Sequence, residues 1–309
     1  MRSLQKTPKT KMGIDGILNV NKPEGKTSFS VVARLKRLTG EKHVGHAGTL
    51  DPIATGVLPI CFGQATRITQ FLTNSSKTYL AHIELGVTTD TFDRQGKIVE
   101  RRDPGDITVT LIEEALTAFR GVINQVPPAF SALKQGGRRC YELARAGVPI
   151  KLKSRRVEIT KLELISYQQP LIEINIDCSK GTYIRSLAND LGQYLGCGAH
   201  LKNLTRLRCG PFSIRDALSL DQVEDAFHKD AWKKLIHPVD SPLGNWKAII
   251  VSRKNELDIR NGRPFPLDEA YPFSEEYCRA YDLDGNFLAV LHFIPEKQQW
   301  HPEKVFSLS

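Results

Sequence analysis

His43-Val-Gly-His-Ala-Gly-Thr-Leu-Asp-Pro-Ile-Ala-Thr-Gly-Val-Leu-Pro-Ile-Cys-Phe-Gly-Gln-Ala-Thr-Arg-Ile-Thr69 holds one acidic residue, Asp51, set among Gly45, Gly48 and Gly56 with Pro52 directly behind it. Glycine reaches backbone conformations closed to other residues, so Gly45 and Gly48 let the chain turn sharply and approach a ligand. Pro52 keeps Asp51 extended. The apolar run Val57, Leu58, Ile60 and Phe62 reads as a strand buried beneath the turn. A carboxylate is thus presented on a stiff loop above a core strand. An aspartate in a turn is by itself ordinary, so the rest of the chain has to say whether this one is chemical.

Outward from this loop, several familiar chemistries fail on spacing. Gly25-Lys26-Thr27 imitates the end of a phosphate-binding loop, but that motif needs a further glycine where Val20 stands, and Pro23 interrupts the middle. No nucleoside triphosphate is expected. Asp90 and Asp93 supply too few alternating oxygen ligands for a calcium loop. His43 and His46 have no third ligand near them, and Cys61, Cys140, Cys178, Cys197, Cys209 and Cys278 are scattered without a Cys-x-x-Cys pair. Neither a zinc site nor a disulfide framework is expected, which fits a reducing compartment.

The wider string closely resembles the signature of the TruB family of pseudouridine synthases, Gly-Thr-Leu-Asp-Pro followed by Ala-Thr-Gly and an apolar strand, here Gly48 to Pro52 and Ala54 to Gly56. Other segments follow in the family's order: Asn21 to Ser28, Lys77-Thr78-Tyr79, the Thr-Asp-Thr of Thr89 to Thr91, the Val-Pro-Pro-x-x-Ser-Ala-x-Lys of Val126 to Lys134, Gly181-Thr182-Tyr183-Ile184-Arg185, and Ala199-His200 with Leu204 and Arg206. The resemblance is close from Gly16 to Gly210 and looser beyond. It implies that Asp51 is the catalytic aspartate, with Tyr79 and Arg185 as its catalytic companions and His46, Tyr183 and Leu204 around the target base. Chemically, a carboxylate that acts as a nucleophile must be ionised and aimed, and a guanidinium does both.

Periodicity gives a strand at Gly16 to Val20, then a helix with Ser28 as its N-cap, Val31, Val32, Leu35 and Leu38 inward and Gly40 as its C-terminal stop. Arg34, Lys36 and Arg37 read as a solvated face. Tyr79, Ala81, Ile83 and Leu85 alternate as one face of a strand, and Thr110 to Glu113 reads as a capping box opening a helix with Leu111, Ala115, Leu116 and Phe119. Leu171 to Cys178 is a strand leading into a helix with Leu187, Leu191 and Leu195, and Ser219 opens another capped helix. His237-Pro238 and Ser241-Pro242 mark a linker, after which Tyr277 to Phe293 reads as a hairpin turning at Asp284-Gly285. With Asn261 to Pro264, this compact β pattern resembles a PUA-type RNA-binding module.

The expected architecture is α+β: a pseudouridine-synthase fold over residues 1–237, with a mixed, mainly antiparallel sheet and flanking helices, and a small all-β PUA-like domain over 238–309. Residues 1–12, basic and polar, are expected to be a frayed arm rather than a secretory signal. The 43 basic and 34 acidic residues leave a net charge of +9, which favours a polyanionic partner. Lys202, Arg206 and Arg208, and the basic segment Lys134, Arg138, Arg139 and Arg145 around Tyr141, are expected to contribute positive surface. No apolar run is long enough to span a bilayer, so a cytoplasmic protein is expected. The resemblance implies a stand-alone tRNA pseudouridine synthase, a monomer acting on the T stem-loop at the uridine conventionally numbered 55, without metal or cofactor. Two alternatives remain open: a non-catalytic RNA-binding or RNA-folding protein on the same scaffold, and a synthase for another RNA.

Overall fold

The computed structural model describes residues 13–131, 133–150, 152–266 and 276–308; the expected arm, residues 1–12, lies outside them. The chain begins with β1 (Gly16–Lys22), α1 (Ser28–Thr39), β2 (Val44–His46) and β3 (Ala54–Phe62). β1 and β3 pair antiparallel, and both are covered on two sides. Leu18, Val20, Leu58, Ile60 and Phe62 enter the main core, while Ile17, Val57 and Cys61 enter a second one. Burial on both faces is why these strands read as near-continuous apolar runs. α1 ends at Gly40 as expected, with φ 72° and its N–H on the Lys36 carbonyl. Its cap is Thr27 rather than Ser28: the Thr27 hydroxyl accepts from the Ser30 N–H at 3.0 Å, leaving the buried Ser28 hydroxyl to bond the Leu50 backbone.

Next come α2 (Thr69–Asn74), β4 (Lys77–Leu85), the hairpin β5 (Val87–Thr89) and β6 (Ile98–Arg101), α3 (Val109–Thr117), β7 (Gly121–Gln125), β8 (Lys134–Gln135), β9 (Arg138–Arg139) and α4 (Cys140–Arg145). β4 alternates as predicted, burying Tyr79, Ala81, Ile83 and Leu85. α3 departs from expectation at its start, which lies two residues earlier. Its cap is Thr108, whose hydroxyl accepts from the Leu111 N–H, and its inward stripe is Ile112, Ala115 and Leu116 while Leu111 faces solvent.

The remaining elements of the main sheet are β10 (Arg155–Gln168), β11 (Leu171–Cys178), β12 (Ala199–Cys209), β13 (Phe212–Ser213) and β14 (Ile236–His237), with α5 (Ile184–Tyr194) and α6 (Leu220–His228) among them. Among the described residues this sheet has ten strands, running β14-β1-β3-β12-β4-β11-β10-β7, with β2 on β3 and β13 on β12. Every pairing is antiparallel except β12 on β3, which is parallel. The α+β fold is therefore the expected one. α6 opens on the capping box at Ser219 and Gln222. Arg34 of α1 is more than a solvated charge, since it grips Glu224 of α6 through two nitrogens, at 2.5 and 2.6 Å.

A second, five-stranded sheet follows, built from β15 (Ala248–Ile250), β16 (Phe265–Pro266), β17 (Tyr277–Tyr281), β18 (Phe287–Ile294) and β19 (Gln299–Val305), with α7 (Arg253–Arg260) against it. The β17–β18 hairpin turns through Asp284-Gly285, where the Asp282 carboxylate accepts from the N–H groups of Asp284 and Asn286. This sheet does not stand apart. Phe287, Val290 and Phe306 share one core with Ile17, Val57 and Cys61 on the back of β1 and β3. Trp246 meets Phe71 edge-on at 5.0 Å and stacks on Tyr277 at 5.2 Å. Among the described residues no helix is long and apolar enough to cross a membrane.

Candidate active site

The loop between β2 and β3 is anchored on every side. The Ser28 hydroxyl donates to the Leu50 carbonyl and accepts from its N–H, the Gly25 N–H donates to Pro52 O, and the Ala47 N–H donates to Pro59 O. From beneath, Arg206 Nη2 donates to Gly48 O at 3.0 Å and its Nε to Val57 O at 2.7 Å. Gly48 takes φ 91°, the sharp turn its glycine was expected to make. Asp51 is thus fixed by backbone bonds made through its neighbours, which leaves its own carboxylate half-exposed to the cavity.

Arg185, in the first turn of α5, meets that carboxylate through one hydrogen bond and one ion-pair contact: Nη2 donates to Oδ1 at 3.2 Å, and Nε lies 2.9 Å from Oδ2 outside hydrogen-bond geometry. Its side chain is 6% exposed, and its remaining donors are also engaged, on the carbonyls of Thr91 and Phe130. Asp93, also buried, lies 3.5 Å from Nη1 and is itself held by the Thr91 hydroxyl and the Gln95 N–H. A guanidinium with this many partners has one orientation, and so does the carboxylate it grips.

Asp51, Tyr79, Tyr183, Arg185 and Leu204 all line one cavity of about 300 Å³, large enough to admit a nucleobase. Leu204 on β12 pairs with Ala81 of β4, and Arg206 pairs with Tyr79, so the two aliphatic and aromatic walls stand diagonally across adjacent strands. Burial pushes the Tyr79 phenol up to about 12, so it stays neutral and keeps its proton. Burial also raises Tyr183, whose backbone is pinned by a side chain: its N–H donates to Gln125 Oε1 and its carbonyl accepts from Gln125 Nε2. His46 is placed differently from the other five. It lines the adjoining cleft of about 1140 Å³ that opens past Asp51, together with Phe29 and Tyr141. Burial, and then the charge of Arg206, lower its pKa, so it is neutral at pH 7.

Four residues of this site lie outside the set expected from the motifs. Asp93 lies two residues past the Thr-Asp-Thr segment, and its carboxylate had been weighed only as a calcium ligand. Gln125 carries no motif signal. Lys22 is fully buried with its amine on the carbonyls of Pro23 and Lys26, and burial lowers it to about 8. Arg206, expected on the positive surface, is 1% exposed at the cavity floor. The signal for it was present: two residues apart on a strand, Leu204 and Arg206 share a face. Lys202 and Arg208 are half-exposed but paired with Glu84 and Asp177, which leaves less free charge there than the composition suggested. Among the described residues no cluster of side chains is arranged to hold a metal ion.

Residues 36–184 match a family model described as the TruB family pseudouridylate synthase N-terminal domain, and residues 185–244 match the tRNA pseudouridylate synthase B C-terminal domain. A tRNA pseudouridine synthase B of Dehalococcoides mccartyi (strain CBDB1) is 42% identical over 95% of this chain and 97% of its own length. The enzyme of the same name from Clostridium kluyveri is 45% identical over 88% and 93%. Among solved structures, a chain from a Cbf5-Nop10-Gar1 complex superposes with a TM-score of 0.73 at 25% identity, covering 94% of this chain and 85% of that one.

Proposed function

The chain belongs to the TruB family of pseudouridine synthases, and from that premise we propose that it isomerises the T-loop uridine of tRNA at position 55, with Asp51 as nucleophile. The observation that carries this reading is the Asp51–Arg185 ion pair on the wall of a cavity that admits a nucleobase. Pseudouridine formation breaks the C1′–N1 bond, turns the uracil and joins C1′ to C5; C5 loses a proton and N1 gains one. It is redox-neutral. The reacting atoms are hidden in a stacked base, so the nucleotide must be flipped into the cavity. Tyr79 and Leu204 then flank the uracil, Tyr183 borders it, and His46 in the adjoining cleft occupies the space the base has left. Arg185 keeps the Asp51 carboxylate aimed whether it attacks C1′ or C6.

The net charge of +9 and the basic side chains around Tyr141 supply the phosphate contacts of the T stem-loop. Arg139 and Arg145 lie over the Tyr141 ring at 6.0 and 5.9 Å, a rim on which an extruded base stacks. Residues 238–309 act as a PUA-like second RNA contact on a monomeric, cytoplasmic enzyme. The test is tritium release from unmodified tRNA labelled at uracil C5. Wild type is expected to release one equivalent, lost when the T-loop uridine is replaced by cytidine; Asp51→Asn is expected to release none while binding RNA within a few-fold of wild type. Undiminished release by Asp51→Asn would remove the aspartate from the mechanism.

A further inference from the structure

Arg206 is a buried cation that the aspartate chemistry leaves unused. Arg185 faces two carboxylates and Arg208 faces one, whereas among the described residues no carboxylate lies within ion-pair distance of Arg206. Burying an unpaired guanidinium is expensive unless something offsets it. Two backbone carbonyls, Gly48 and Val57, take up Nη2 and Nε, but they are dipoles and leave the full charge in place. That charge lines the cavity beside Tyr79, on the same strand face as Leu204. The backbone of β12 at this point lies so close to β3 that a Cβ on Gly56 would collide with it, and the bonds from Nε to Val57 O and from Nη2 to Gly48 O hold the guanidinium against the same strand and loop.

The reaction supplies the missing negative charge. If Asp51 takes C1′, the electron pair of the C1′–N1 bond departs with uracil and spreads over N1, O2 and O4. If Asp51 adds at C6, the electron pair of the C5–C6 double bond moves out toward O4. Either way the ring becomes anionic while it is held in the cavity, and the charge is discharged when C5 bonds C1′ and gives up its proton. We propose that Arg206 takes up this charge, acting as a preorganised electrostatic stabiliser of the detached or activated uracil. Fixed donors aimed at a developing oxyanion inside a water-poor site are among the largest single contributions to catalysis.

This inference rests on the cavity being the uridine site, and the experiment separates the two. Single-turnover consumption is followed by nuclease digestion and chromatography of tRNA carrying either uridine or 5-fluorouridine at the target position. 5-Fluorouracil is the stronger acid, so its anion needs less stabilisation. Arg206→Gln is expected to slow uridine by roughly 100-fold or more, with RNA affinity within a few-fold of wild type, and to slow 5-fluorouridine by at least ten-fold less. Equal losses on both bases would overturn the proposal and leave Arg206 as a clamp of the Asp51 loop. Should Arg206→Gln not fold, as judged by its thermal transition, Arg206→Lys carries the same comparison. It keeps a charge but loses the fork, and the same gap between the two bases is expected and the same equality is fatal. Asp51→Asn is expected to be inactive on both bases; activity there would sink the reading of the cavity itself.

Discussion

Asp93 shows how the site holds its nucleophile at one remove. It touches Arg185 rather than Asp51, so it is a positioning residue, and Asp93→Asn is expected to lower kcat by roughly 10-fold to 100-fold with KM nearly unchanged. Pre-steady-state tritium release against RNA concentration reads that split. Lys22 offers a prediction in stability rather than rate. Burial holds its folded pKa near 8 against an ordinary 10.5, so between those values the unfolded chain binds more protons than the folded one. Its contribution to stability is therefore least favourable below pH 8 and improves as pH rises toward 10.5. The difference in unfolding free energy between wild type and Lys22→Met should shift in favour of wild type across that window; a flat difference would contradict the burial. The neutral amine still has hydrogens for both carbonyls it bonds. Asp51 and Arg185 were legible because a motif carries them. Gln125 was not, since a side chain that imitates a strand's hydrogen bonds has the composition of any surface glutamine.

At the level of elements, the alternation in β4 and the glycine stop of α1 were readable because each follows from local periodicity. The caps of α1 and α3 were not. Both lie in runs with more than one hydroxyl, Thr27-Ser28 and Thr108 with Thr110, and which one caps depends on where tertiary packing sets the first turn. The distinction has consequences. Thr27→Ala removes only a cap and should cost about 1 kcal/mol in urea unfolding with kcat unaltered. Ser28→Ala strips both bonds from Leu50, the residue before Asp51, and should reduce turnover as well as stability. Equal kcat in the two variants would show that the α1 anchor does not reach the chemistry.

For the molecule as a whole, the division near residue 238 read from Pro-rich sequence is a change of sheet without a break in the core. Ile17, Val57 and Cys61 are covered by Phe287, Val290 and Phe306, a contact between distant segments that no local pattern encodes. Calorimetry of the full chain should show one cooperative transition, and a fragment ending at residue 237 should expose that face and aggregate. Two resolved transitions, or a well-folded fragment, would refute the shared core. The anchoring of the Asp51 loop from α1, β3 and β12 together also decides where this enzyme is able to acquire new preferences. A change to any one anchor is felt by the others, so the reaction centre tolerates little drift. The opposite rim, with Tyr141, Arg139 and Arg145, carries none of those bonds to the loop. Variation selected for a different RNA is expected to accumulate on that rim, leaving the chemistry unaltered while the clientele changes.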